Sequence, residues 1–138
     1  MSNCPVIWIT RLQEGIALST MEAEYIALSM AMRDLLPFKR LIQSIFIGVG
    51  IDKDQQFNIR CNVFEDNAGA LALAKLELPR MTPRSKHYAV KYHWFRSCLK
   101  PENIQVLKIE SKQQLADIFT KGLAKSPFEY IRELLMGW

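Results

Sequence analysis

Apolar and polar positions change their period several times along this chain, and each change marks an element. Pro5 to Thr10 is short, β-branched and aromatic, which predicts a strand, and Arg11 to Gly15 turns the chain. Ser19 or Thr20 stands where an N-cap belongs, and a long helix is expected through at least Leu36. Pro37 should kink that helix or end its first section, with a second section from about Phe38 to Phe46. Gly48, Gly50 and Asp52-Lys53-Asp54 mark a loop. Phe57 to Glu65 is the clearest strand, and Asn67 to Lys75 a short Ala- and Leu-rich helix behind it. Leu76 to Arg84, with Pro79 and Pro83, reads as extended loop. Tyr88, Tyr92, Phe95 and Leu99 fall at helical spacing and predict a helix over Ser85–Leu99. Ile104 to Ile109 alternates as a strand, Ser111 could cap a helix over Lys112–Leu123, and Ser126-Pro127 opens a terminal helix with proline at its first position. Strands and helices in this order predict a single α/β domain over residues 1–138, with no visible linker.

Composition narrows the picture further. The chain has 138 residues, 49% hydrophobic and 23% charged, which fits one ordinary globular core. Arg33, Asp34, Lys39 and Arg40 break the longest apolar stretches, so no membrane span is expected, and the N-terminus lacks a signal-peptide pattern. Cys4, Cys61 and Cys98 form no CxxC pair, which predicts reduced thiols in an intracellular protein rather than a zinc site or disulfides. A net charge of +4 is compatible with a polyanionic partner but too small to demonstrate one.

Three acids stand out by context. Glu24 shares a helical stripe with Met21, Leu28, Ala31 and Leu35, where a carboxylate is costly unless it is paired or binds a cation. Periodicity alone leaves open a tolerated acid at the edge of that stripe. Glu22 shares a face with Ser29 and Arg33 and reads as solvated. Asp66 follows a strand and precedes a helix; spacing alone favours an N-cap, although Asn67 could serve equally and free Asp66 for a ligand beyond the strand. Asp117, among Gln113, Gln114, Thr120 and Lys121, reads by itself as a solvated acid. A helix acid, a strand-end acid and a late-helix acid can nevertheless converge on divalent cations beside a phosphodiester.

His87 and His93 are too far apart on one helix to share a metal. Around them Tyr88, Tyr92, Trp94 and Phe95 interleave with Lys86, Lys91, Arg96 and Lys100. Core packing is favoured for Tyr88, Tyr92 and Phe95, while the basic face stays open as a nucleic-acid surface.

Five segments together resemble the ribonuclease H domain of copia-like retrotransposon Pol polyproteins. They are the stretch from Ile16 to Ser29 around Ala23-Glu24-Tyr25; Glu65-Asp66-Asn67-Ala68-Gly69-Ala70; Pro83-Arg84-Ser85-Lys86-His87-Tyr88; Lys91-Tyr92-His93; and Gln114 to Leu123 around Ala116-Asp117-Ile118. The resemblance implies a ribonuclease H-like mixed sheet flanked by helices. It implies that Glu24, Asp66 and Asp117 are the second, third and fourth members of an Asp-Glu-Asp-Asp set holding two Mg2+ (or Mn2+) ions. The implied activity is hydrolysis of the RNA strand of an RNA–DNA hybrid. It further implies backbone contact with the hybrid at Arg84, Lys86, His87 and Lys91.

One departure shapes the expectation. The first acid of the set belongs to a strand upstream of Pro5–Thr10, and no acid precedes Glu14. The domain is therefore expected to lack its first two strands, as a fragment or a degenerate copy, with impaired nuclease activity. Exposed edges at Pro5–Thr10 and Phe57–Glu65 should then favour self-association. The expected partners are an RNA–DNA hybrid and an upstream reverse-transcriptase region, in a cytoplasmic retrotransposon particle or the nucleus. The competing reading is a non-catalytic module that binds nucleic acid or protein through a degenerate ribonuclease H fold.

Overall fold

The computed structural model describes residues 5–13, 15–51, 59–77 and 92–137. Their contacts group into two compact units, Ala17–Lys108 and a second formed by Met1–Ile16 with Ile109–Trp138. The α/β class expected from the pattern is observed.

The larger unit holds α1 (Thr20–Gly48), β1 (Cys61–Glu65), α2 (Ala68–Lys75), α3 (Arg96–Leu99) and β2 (Ile104–Lys108). The two strands pair in parallel, with Cys61 opposite Ile104 and Glu65 opposite Lys108. A parallel pair cannot be closed by a tight turn, and α2 and α3 lie in the crossover between the strands.

Ser19 caps α1: its Oγ accepts from the Glu22 N–H at 3.2 Å, and the Glu22 carboxylate accepts from the Leu18 N–H at 2.9 Å. This reciprocal pair approximates a capping box, so Glu22 is a capping acid rather than merely a solvated one. Pro37 does not end the helix, which continues to Gly48. Proline removes one backbone bond there, but Leu36 and Lys39 are both buried and fix the chain on either side of it. Lys39 donates to the Glu102 carbonyl and lies 3.2 Å from its carboxylate, which Arg40 also engages at 2.9 Å.

Tyr25, Leu28, Met32 and Leu36 recur at helical spacing along α1 and form the core with Ala70, Leu73 and Ala74 of α2, Phe95, and Ile104 and Val106 of β2. Burying each large apolar side chain contributes about 1.5–3 kcal/mol. The Tyr25 hydroxyl, wholly inside this core, is 3.0 Å from His93 Nδ1. Burial pushes its pKa up to about 12, against a lowering pull from Arg96. α2 packs closely on α1 because it carries Gly69: a Cβ there would lie 2.6 Å from Met21 Sδ.

The helix expected over Ser85–Leu99 is described only from Tyr92, and just Arg96–Leu99 is α-helical. Bonds from Arg96, Ser97 and Cys98 N–H to the carbonyls three residues earlier tighten the segment. His93, Phe95 and Arg96 are all buried, with His93 and Arg96 three residues apart on one face of this turn. Of the loop expected over Leu76–Arg84, only Leu76 and Glu77 are described.

In the smaller unit the expected strand Pro5–Thr10 is not formed. Val6 to Ile9 are exposed and have no ladder partner among the described residues; Thr10 Oγ1 instead donates to the Phe119 carbonyl at 3.2 Å. The helix expected over Lys112–Leu123 is reduced to a 3₁₀ turn at Ser111–Gln113 and one α turn, α4 (Asp117–Thr120). Gln114, in extended backbone, separates them. α5 (Lys125–Met136) starts two residues earlier than expected, so Pro127 occupies its third position. First-turn N–H groups have no intrahelical acceptor, so proline costs little there. Gly137 closes α5 at φ 78°, a left-handed conformation suited to glycine. Among the described residues no helix is long and apolar enough to cross a membrane.

Candidate carboxylate site

β1 alternates, with Cys61, Val63 and Glu65 turned inward while Asn62 and Phe64 face outward. Its last residue, Glu65, is therefore carried inward and is only 5% exposed. Asp66 follows where the strand ends. Asn67 is the residue that caps α2: its Oδ1 accepts from the Gly69 and Ala70 N–H groups, both at 3.0 Å. Asp66 is thereby relieved of the capping role that spacing alone favours for it.

Glu24, in the second turn of α1, reaches the same place. One carboxylate oxygen from each of Glu24, Glu65 and Asp66 lies within 4.8 Å of the others. The arrangement explains the acid on the apolar stripe: Leu28 is buried, Met21 and Leu35 pack partly against the core, and Glu24 is half-buried beside them.

Glu65 feels this crowding. Burial pushes its pKa up to about 6; the Asn67 N–H bond at 2.9 Å pulls down, Glu24 and Asp66 push up, and Lys108 pulls down. Three mutually repelling carboxylates, with no thiol or imidazole in the group, form an all-oxygen donor set. That chemistry fits a hard divalent cation such as Mg2+ or Mn2+.

Sequence reasoning missed Glu65. The signal was available, because strict alternation from Cys61 through Val63 assigns Glu65, not Asp66, to the inner face of the strand.

Asp117 lies in the smaller unit, at the start of α4, where its carboxylate pairs with Lys121 at 2.8 Å. Arg84, Lys86, His87 and Lys91, the expected hybrid-contact residues, lie outside the described residues. Arg96 is excluded from the basic face: it is buried, and its guanidinium donates to the Leu76 carbonyl at 2.7 and 3.1 Å and to the Glu77 carbonyl at 3.3 Å. Lys100 of that face lies 3.6 Å from the exposed Glu77 carboxylate.

The described fold thus defines an α/β unit with an acidic group at the C-terminal ends of parallel strands. The chain is 32% identical, over 134 residues and 97% of its length, to a retrovirus-related Pol polyprotein from transposon TNT 1-94 of Nicotiana tabacum, of which it spans 9%. It is 30% identical, over 129 residues and 94% of its length, to each of the retrovirus-related Pol polyproteins from transposons RE1 and RE2 of Arabidopsis thaliana, spanning 8% of each. Its homologues are therefore retrovirus-related Pol polyproteins of plant transposons, which supports a retrotransposon-derived protein. The chain spans less than a tenth of the length of these relatives. No family model matches it, and no solved structure does.

Proposed function

We propose that the chain is a ribonuclease H-like domain of a retrotransposon Pol polyprotein, acting on the RNA strand of RNA–DNA hybrids. The observation that carries this reading is the meeting of Glu24 and Asp66, remote in sequence, with Glu65 at the end of β1. Such positions, beyond the carboxyl ends of parallel strands, are where α/β folds bind ligands. Glu24, Glu65 and Asp66 would hold divalent cations. Mg2+ bound there supplies a polarised water and charge neutralisation at the leaving oxygen. The protein's own part is to fix the carboxylates: the Ser19 cap anchors the helix that carries Glu24, and the Asn67 cap and β1 fix Asp66 and Glu65. This reading carries with it an upstream reverse-transcriptase partner and a setting in a cytoplasmic particle or the nucleus.

Calorimetric titration of the chain with Mg2+ and Mn2+, beside a hybrid-cleavage assay of the chain alone and joined to the rest of a Pol polyprotein, tests it. Saturable cation binding is expected of the chain alone and cation-dependent cleavage of the joined protein, with little or no cleavage by the chain alone, and both are expected to be lost on Asp66→Asn. Absence of cation binding, or cleavage that survives Asp66→Asn, overturns the reading.

A further inference from the structure

The parallel register brings a second kind of charge to the acidic group. Glu65 and Lys108 are the last residues of β1 and β2 and lie directly opposite one another. From there the Lys108 ammonium reaches the turn after β1 and donates to the Asp66 backbone carbonyl. It lies close enough to Glu65 to lower that carboxyl's pKa. Lys108 forms no ion pair with a carboxylate among the described residues. An ammonium has three donors, and the carbonyl takes one. Lys108 is also solvent-exposed, so its remaining donors are accessible from outside.

A phosphodiester approaching Glu24, Glu65 and Asp66 meets three groups of its own sign. A fixed cation beside them, with free donors, lowers that barrier and supplies a contact for a non-bridging phosphate oxygen. We infer that Lys108 is a phosphate-contacting residue of this site, gripping the backbone of the nucleic acid next to the carboxylates. The inference rests on the proposed function. It adds a residue from β2 that the sequence motifs do not mark.

The test is hybrid binding by the full chain, followed by fluorescence anisotropy in EDTA across a salt series, for wild type, Lys108→Met and Lys108→Arg. Each phosphate contact contributes about 0.9 to the slope of log affinity against log salt. Lys108→Met is expected to lose one such increment and to bind several-fold more weakly, with Lys108→Arg restoring both. Mg2+ affinity of Lys108→Met, measured by calorimetry, should equal or exceed that of wild type, since a neighbouring positive charge is gone. A lysine that only holds the Asp66 turn would give the opposite pattern, an unchanged salt slope with weakened Mg2+ binding, and that result overturns the inference. Failure of wild type to bind Mg2+ would instead overturn the proposed function, because the salt series contains no cation for the carboxylates.

Discussion

Glu65 Oε1 accepts the backbone N–H of Asn67 at 2.9 Å, across the residue that lies between them. The bond ties an inward-facing acid to the residue that caps α2, with Asp66 at the centre of the turn. Shape and charge are thus coupled at one place: the carboxyl that folds the turn is also crowded by its neighbours.

That coupling has a sign. The Glu65 pKa rises from 4.5 to about 6 on folding, so between these values the folded state holds more protons than the unfolded one. Stability therefore falls as pH rises through that window, by on the order of 2 kcal/mol. Urea denaturation in EDTA between pH 4 and 7 should show this slope, and Glu65→Gln should flatten it. A slope that survives Glu65→Gln would assign the effect to other groups.

Divalent cations should then act as folding ligands. If Mg2+ binds the native carboxylates and not the unfolded chain, a concentration of 100 Kd stabilises by about 2.7 kcal/mol. Thermal unfolding at pH 7 is expected to shift upward with Mg2+ in wild type. The shift should vanish in Asp66→Asn.

Lys39 tests a different part of the same unit. Its ammonium is buried and held by Glu102, whose carboxyl is held below its usual range by Arg40 and Lys39. Glu102→Ala leaves a buried charge unmatched and should cost about 3–5 kcal/mol, whereas Lys39→Met should cost much less. The Glu102 contribution is present above pH 4.5 and disappears as pH falls through the depressed value. Denaturant midpoints of the two variants decide the order; equal losses would show that the ion pair is not a buried one in solution.

A Cβ at Gly69 would lie 2.6 Å from Met21 Sδ, so a side chain there is accepted only if Met21 shifts. Gly69→Ala is expected to lose about 1–3 kcal/mol by forcing Met21 aside, and Met21→Ala should recover part of that loss in the double variant. Strict additivity in this double-mutant cycle would mean the two positions do not press on each other.

How legible these features are from sequence depends on the range of the interactions that set them. The start of α1 is local: Ser19, Glu22 and the stripe through Leu28 suffice to place it. β2 alternates cleanly and is placed almost to the residue. Val6-Ile7-Trp8-Ile9 has equal β character and forms no strand, because a strand also needs a partner, and pattern cannot supply one. At Pro37 the pattern leaves open whether the helix ends or runs on, and the contacts that hold it together there come from Glu102, far along the chain. At the site, Glu24 is visible as a misfit on an apolar stripe. Glu65 is hidden only by attention to the acid beside it, and Lys108 depends on a register that one strand's sequence does not contain.

The parallel pairing of Glu65 with Lys108 also fixes an order of events. Side-by-side parallel strands close only after the whole crossover has been looped, and that loss of chain entropy precedes any reward from the contact. Glu24 is remote from Glu65 and Asp66 in the unfolded chain, so its repulsion with that adjacent pair is absent until this late step, when the ladder and α1 come together. The acidic group thus weighs on the final stage of folding rather than on its start. A cation captured at that moment would slow unfolding more than it would speed folding.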